Sequence, residues 1–290
     1  MVIAITGANG FLAGYLIKQL INENIQVKLL SRNAGSREGI EYIKTDYSFA
    51  SLKEILTGVD AIVHLASPRK VYDNFSEYFD SVVMTENLYK IAIEYKISNI
   101  IYASSISVYS GNSFPYNEEM ATDPKNYYGA YKLLCEKIGN IYNEKGLCVK
   151  NLRFAHIYGA NENNNYMINV FFRNAFDHKQ LKVFAKSYAK REMLYAKDAA
   201  SAIMSALKHP ELKGVFNIGS GNFLTNLDIA ETICKIFSPE LAVECGEDEE
   251  TITSSYMSSN KAESDLQYVP KYDFEKAVKE IKEEMMLLRG

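Results

Sequence analysis

Tyr128 and Lys132 stand four residues apart in the segment Tyr128-Gly129-Ala130-Tyr131-Lys132. On a helix that spacing puts the phenol and the ammonium on one face. The cation can then stabilise a phenolate and draw a tyrosine pKa of about 10 toward neutrality. Tyr128 is thereby a candidate acid and base. Upstream, Ser104-Ser105-Ile106-Ser107-Val108-Tyr109 follows an apolar run and brings hydroxyls toward the same region. A hydroxyl such as that of Ser105 can polarise a carbonyl or bind an alcohol. The tyrosine and lysine spacing alone proves little in a chain with 21 Tyr, and Tyr272 with Lys276 repeats it without site-like neighbours. The serines distinguish the first pair.

A second chemical signal lies in Ile5-Thr6-Gly7-Ala8-Asn9-Gly10-Phe11-Leu12-Ala13-Gly14, between an apolar run and a helical pattern. Glycines there permit a tight turn and let backbone N–H groups approach a pyrophosphate, while the helix N-terminus adds donors and a favourable dipole. Gly7 and Gly10 supply the turn, and Ala13 is small enough for close helix-to-strand packing. The stretch through Gly7, Asn9, Gly10, Phe11 and Leu12 is thus a candidate dinucleotide cradle. A site preferring NAD expects an acidic side chain about 20 residues further on. Here the second apolar run ends Leu29-Leu30-Ser31-Arg32. Ser31 and Arg32 can instead hold a 2′-phosphate by charge-assisted hydrogen bonds, which favours NADP over NAD. Asp46, followed by Tyr47, closes the third run and is a candidate for the adenine edge or a cap for the next helix.

Positioning these groups requires a sheet. Apolar runs at 2–6, 26–30, 41–45, 61–65, 99–104 and 149–154 read as buried strands. Helical patterns lie between them, with apolar residues three and four apart over 74–96. This order predicts an α/β fold, a doubly wound parallel sheet of Rossmann type with right-handed crossovers. After Gly159 the pattern loosens into a loop, a helix over 166–176, short strands near 181–185, 193 and 214–218, and helices from Thr225 and Phe274. The expected organisation is a dinucleotide-binding domain over 1–160, joined by about 193–220. A smaller α/β substrate-binding domain is expected from 161–192 and 221–290.

Composition narrows the class. The 290 residues are 47% hydrophobic and 23% charged, with 6 Pro and 16 Gly, which excludes a disordered or collagen-like chain. A net charge of -4 without a basic run argues against nucleic acid and anionic membrane partners. Cys135, Cys148, Cys234 and Cys245 are scattered with no metal-ligand spacing, so no metal is expected. Met1 leads straight into an apolar strand, and a cytoplasmic location is the expectation.

The chain resembles an extended short-chain dehydrogenase/reductase of the NAD-dependent epimerase/dehydratase family, which acts on nucleotide sugars. The resemblance runs through Thr6 to Phe11, Val63-His64-Leu65-Ala66-Ser67, Ser104-Ser105 with Val108-Tyr109, and Tyr128 through Lys132 with Glu136. It continues through Leu152-Arg153-Phe154, Tyr158-Gly159, Arg191 through Asp198 and Asn217 through Gly221. It implies Tyr128 as catalytic acid/base, Lys132 as its electrostatic partner and a ligand of the nicotinamide ribose, and Ser105 on the reacting C–O. Leu65, Ala66, Ser67 and Ser104 would line the cofactor. His156, Asn165, Val183, Phe184 and Arg191 would face the sugar nucleotide, with Arg191 on the diphosphate.

Two departures stand out. His156 replaces the Asn of many relatives. The region before Asn260-Lys261-Ala262 reads Cys245-Gly246-Glu247-Asp248-Glu249-Glu250, where UDP-sugar epimerases carry a diphosphate-binding Arg. The leading expectation is NADPH-dependent reduction of a 4-keto nucleotide sugar. The alternative is a UDP-hexose or UDP-N-acetylhexosamine 4-epimerase with tightly bound NAD, and a remoter one is a non-catalytic dinucleotide-binding regulator. The family commonly pairs two helices, here 74–96 and 127–144, into a four-helix homodimer interface.

Overall fold

The computed structural model describes residues 1–289 except 69–70, 112, 161, 163 and 248–252. In chain order the first elements are β1 (Val2–Thr6), α1 (Phe11–Asn22), β2 (Gln26–Ser31), β3 (Ser36–Arg37), β4 (Ile40–Lys44), α2 (Phe49–Ile55) and β5 (Ala61–His64). There follow α3 (Phe79–Tyr95), β6 (Asn99–Ser105), α4 (Tyr127–Asn143), β7 (Cys148–Phe154), β8 (His156–Tyr158), α5 (Met167–Phe176) and β9 (Lys182–Val183). The chain then forms β10 (Arg191–Tyr195), α6 (Ala196–Leu207), β11 (Gly214–Ile218), β12 (Phe223–Leu224), α7 (Asn226–Phe237), β13 (Glu244–Cys245), α8 (Asn260–Leu266) and α9 (Phe274–Arg289).

Eight strands form one sheet in the order β11-β7-β6-β5-β1-β2-β4-β3. All pairs are parallel except β3 with β4. Strands as apolar as Val2–Thr6 and Ala61–His64 are buried on both faces, which requires helices above and below. One face packs against α1 and α6, the other against α2, α3 and α4. The strand order reverses beside β1, between β5 and β2, and a crevice opens there at the carboxyl ends of the strands.

The run at 41–45 is a strand one residue earlier. The pattern over 74–96 splits into a 3-10 turn, Phe75–Tyr78, and α3. The strand expected over 181–185 shrinks to two residues, paired in parallel with β13. A third sheet, β12-β10-β8, pairs β8 and β10 in parallel. The strand near 193 thus joins β8 rather than the large sheet. A separate apolar cluster, which includes Tyr158, Phe172, Ile229, Phe237, Phe274 and Ile281, packs α5, α7 and α9 together. Among the described residues no helix is long and apolar enough to cross a membrane.

Candidate active site

The glycine-rich turn is built to let something approach the backbone. Gly7 has φ +67°, and a Cβ there would lie 2.8 Å from the backbone of Ala66. A Cβ on Gly10 would lie 2.9 Å from the Gly7 oxygen, to which the Gly10 N–H donates at 2.8 Å. Helix α1 then starts with no side-chain cap and no acidic residue in its first turn, so its leading N–H groups are available to an anion. Gly7, Asn9, Gly10, Phe11 and Leu12 all line a cleft of about 1810 Å³ that reaches Tyr128. A backbone cradle that any side chain would fill fits the pyrophosphate of a dinucleotide.

At the ribose end the expectations separate. Ser31 is buried, and its hydroxyl accepts the Asn33 N–H at 3.1 Å. It therefore does not present itself to a 2′-phosphate, which corrects that expectation. Arg32 is exposed and lines the cleft, as does Asp46. The Asp46 carboxylate accepts the Ser48 N–H, a bond that holds its pKa below the usual value, while Ser48 itself caps α2. Tyr47, at φ +61°, donates its hydroxyl to the Leu30 carbonyl and accepts the Gly7 N–H, so it clamps the turn from behind. Arg37 was not anticipated. From the edge strand β3 its guanidinium donates to the Gly10 carbonyl at 2.6 Å and fills the space beside Gly14. An arginine two strands away carries no sequence-local signal of such a contact.

Ser105, Tyr128 and Lys132 come together at the end of β6 and the start of α4. Asn126 caps α4 by accepting the Gly129 N–H, which places Tyr128 in the first turn. The Tyr128 hydroxyl lies close enough to Ser105 and Ser67 for both to act to lower its pKa. Ser105 also accepts the Ser107 N–H at 3.1 Å, fixing its rotamer. The Lys132 ammonium is buried, donates to the Ala103 carbonyl at 2.7 Å and lies 5.6 Å from the Tyr128 ring centre. Burial pulls its pKa down to about 8.

The tyrosine differs from expectation. Its pKa is pushed up to about 12, first by burial and then by Tyr166, with Ser105 and Ser67 opposing. Desolvation outweighs the lysine because the ammonium faces the ring and is engaged by Ala103. In this state Tyr128 is a proton donor at neutral pH. Gly129 is a second unanticipated site residue: a Cβ there would lie 2.1 Å from the Ser107 carbonyl oxygen. A glycine inside a helix costs about 1 kcal/mol relative to alanine, and that cost is a signal the sequence does carry.

Leu65, Ala66 and Ser67 line the cleft as expected. Ser104 does not. Its hydroxyl points away and donates to Glu136. Glu136 is gripped by Arg153 through bonds of 2.9 and 2.6 Å, and Arg153 donates at 2.6 Å to the Tyr109 hydroxyl. This buried network holds β6, α4 and β7 in place, so Ser104 supports the site rather than lining it. His64 is another support. The Thr85 hydroxyl donates to the Ser81 carbonyl, so it accepts from His64 Nε2–H, leaving Nδ1 to accept from Thr6. Burial and the Lys132 charge depress the His64 pKa to about 3, so the ring is neutral.

The five residues expected on the sugar side are only partly gathered. Asn165 lines the cleft, its side-chain oxygen accepting from Arg173. His156 and Arg191 are neighbours on β8 and β10 and each leaves a buried nitrogen, Nε2 and Nε, without a partner. Burial and the Arg191 charge bring the His156 pKa down to about 4. Arg191 does not pair with Glu192, whose buried carboxylate accepts the N–H groups of Ser220, Gly221 and Met257. Val183 is buried in the α5, α7 and α9 core, so it faces no ligand, while Phe184 is 85% exposed and outside the cleft lining. Of the acidic run, Asp248, Glu249 and Glu250 lie outside the described residues.

Residues 3–219 match the NAD dependent epimerase/dehydratase family. The solved structure of a UDP-N-acetylglucosamine 4-epimerase from Bacillus cereus is 47% identical, with a TM-score of 0.91 over 98% of this chain and 99% of that one. An uncharacterized UDP-glucose epimerase of Bacillus subtilis is 26% identical, over 80% of this chain and 81% of the relative. A dTDP-4-dehydro-6-deoxyglucose reductase of Escherichia coli is 25% identical, over 80% of each. The matched residues include the glycine-rich turn, Ser105, Tyr128 and Lys132, and the chain belongs to the NAD dependent epimerase/dehydratase family.

Proposed function

We propose that this protein is a UDP-sugar 4-epimerase, acting on a UDP-N-acetylhexosamine or UDP-hexose and retaining NAD through each turnover. The observation that carries this reading is the 47% identity, over 98% of the chain, to a UDP-N-acetylglucosamine 4-epimerase. The reductase expectation rested on Ser31 with Arg32, and the burial of Ser31 removes half of its basis. Arg32 at the cleft and the likeness to a reductase keep NADP-dependent reduction as the second reading.

Held at Gly7, Asn9, Gly10, Phe11 and Leu12, a dinucleotide would supply reversible hydride chemistry at the sugar C4. The residues of this chain manage the proton and the orientation. Tyr128 must first give up its own proton; as the phenolate it takes the proton of the C4 hydroxyl while the carbonyl forms, and it returns that proton to the same oxygen when hydride is delivered to the opposite face of C4. Ser105 holds the same oxygen, its rotamer fixed by Ser107. The Lys132 cation and the hydroxyls of Ser105 and Ser67 are the groups that favour the phenolate against burial. Arg191, His156 and Asn165 are the proposed contacts to the sugar nucleotide, and the unpartnered Nε of Arg191 and Nε2 of His156 each need a hydrogen-bond partner, a need that a diphosphate oxygen would meet. In this reading the first 160 residues with α6 and β11 carry the dinucleotide, and the remainder carries the sugar nucleotide.

The test uses the purified protein with UDP-N-acetylhexosamines or UDP-hexoses and no added cofactor. Interconversion at C4 supports the epimerase, and Tyr128→Phe should lower its kcat by about 10²- to 10⁴-fold. Conversion only of 4-keto sugars, and only with added NADPH, would favour the reductase. Mass spectrometry of the nucleotide released on denaturation reads the cofactor directly. We also propose a homodimer through α3 and α4, which pack on each other and leave Phe79, Val83 and Ile141 more than half exposed.

A further inference from the structure

Helix α1 carries two aromatic residues one turn apart, Phe11 and Tyr15, that pack edge to face at 5.4 Å. Phe11 faces the cofactor cleft. Tyr15, beside it, reaches the segment that follows β8. Its hydroxyl accepts the Ala160 N–H at 3.0 Å and donates at 3.0 Å to Oε2 of Glu284, in the C-terminal helix α9. The other Glu284 oxygen accepts from the Tyr195 hydroxyl at 3.2 Å and pairs with Lys197 at 2.7 Å. Lys197 also pairs with Glu280. Gly159 permits the contact, since a Cβ there would lie 2.9 Å from both Phe11 and the Tyr15 hydroxyl.

Ala160 is buried and begins the stretch whose Glu162, Asn164, Asn165 and Tyr166 line the cleft. Tyr166 is near enough to Tyr128 to raise its pKa. Arg173 holds the same stretch from the α5 side, donating to the carbonyls of Glu162 and Asn164. At its start this lip is held by the Tyr15 hydroxyl, which accepts the Ala160 N–H. That hydroxyl is oriented by a carboxylate lying beyond residue 219, where the family match ends.

We propose that Tyr15 and Glu284 form a latch through which the C-terminal helix positions the substrate-side lip of the cleft, making Tyr15 a positioning residue for the sugar nucleotide. Tyr15 contacts no reacting atom in this scheme. It acts through Ala160 and the residues that follow it. Loss of the hydroxyl leaves a buried N–H without an acceptor and one Glu284 oxygen without its donor, both of which disfavour the observed position of the lip.

Only the kinetic arm of the test rests on the nucleotide-sugar reading. In Tyr15→Phe and in Glu284→Ala, hydrogen exchange at the Ala160 amide should quicken about tenfold or more, as expected for a lost hydrogen bond, while the β1 amides keep their protection. On UDP-N-acetylglucosamine, KM should rise about tenfold with kcat within a factor of two and bound dinucleotide unchanged, the pattern of lost uniform binding. The double variant should be no worse than either single one, because the two residues act as one unit. Unchanged Ala160 exchange in either variant would overturn the latch, as would additive effects in the double variant or an equal fall of kcat and kcat/KM. If the wild type turns over neither UDP-N-acetylhexosamines nor UDP-hexoses, the functional reading fails, and the exchange data still decide the latch.

Discussion

Gly129 packs so closely on Ser107 that a Cβ at Gly129 would lie 2.1 Å from the Ser107 carbonyl oxygen and 2.9 Å from Pro124 Cβ. This approach brings the first turn of α4, with Tyr128, down onto the end of β6 and Ser105. Gly129→Ala should therefore lift Tyr128 away from Ser105. A displacement of about 1 Å can cost about 10²-fold in rate, and that loss is expected in kcat. Bound dinucleotide, measured by mass spectrometry after denaturation, should be unchanged because the glycine-rich turn lies elsewhere.

Glu136 and Arg153 are both buried and joined by two hydrogen bonds. Removing one partner leaves the other charge buried without compensation, at a cost of about 3–5 kcal/mol. Glu136→Ala should lower the urea midpoint by a corresponding amount. A shift no larger than that of an exposed control such as Glu54→Ala would contradict the buried pairing.

Acid should destabilise the protein through His64. Its folded pKa of about 3 lies below the ordinary value of 6.5, so the unfolded chain binds the extra proton first. The stabilising contribution is complete above pH 6.5 and is lost as pH falls toward 3. By pH 5 the loss is about 2 kcal/mol. His64→Asn should flatten this part of the profile, seen as a smaller difference between urea midpoints at pH 7 and pH 5 than in the wild type.

Ile141 and Val83 are 57% and 54% exposed on α4 and α3. If these helices form the proposed dimer, Ile141→Glu places a charge in an apolar interface and should shift the light-scattering mass from dimer to monomer. A monomeric wild type at micromolar concentration would refute the proposal outright.

Much of the scaffold was legible because its signals are local. Alternating apolar runs and helical patterns specified the parallel sheet, and Gly7 with Gly10 marked the turn whose positive φ and close approach only glycine tolerates. Tyr128, Lys132 and Ser105 were legible by spacing and company. Short elements were not. Two-residue strands such as β9 and β13 have no period that sets their bounds or their inward face, and the ligand contact that the resemblance implies for Val183 is a core position here. Ser31 and Ser104 were misread for a related reason: a serine's type does not say which way its hydroxyl points.

Sequence by itself determined the glycine-rich turn, the grouping of Ser105, Tyr128 and Lys132 as a candidate site, and the parallel order, since each depends on residue types at fixed short separations. Only the tertiary structure decided the electrostatic state of the site. Whether Lys132 lowers the Tyr128 pKa or burial raises it depends on where the ammonium lies relative to the ring and on what else it bonds, and Ala103 is 29 residues away in the chain. The same holds for Arg37 on Gly10, Glu192 in its ring of backbone N–H groups, and Tyr15 between Ala160 and Glu284. These contacts join residues up to 269 positions apart. Their energies come from desolvation and hydrogen-bond geometry, which exist only once the chain has closed on itself.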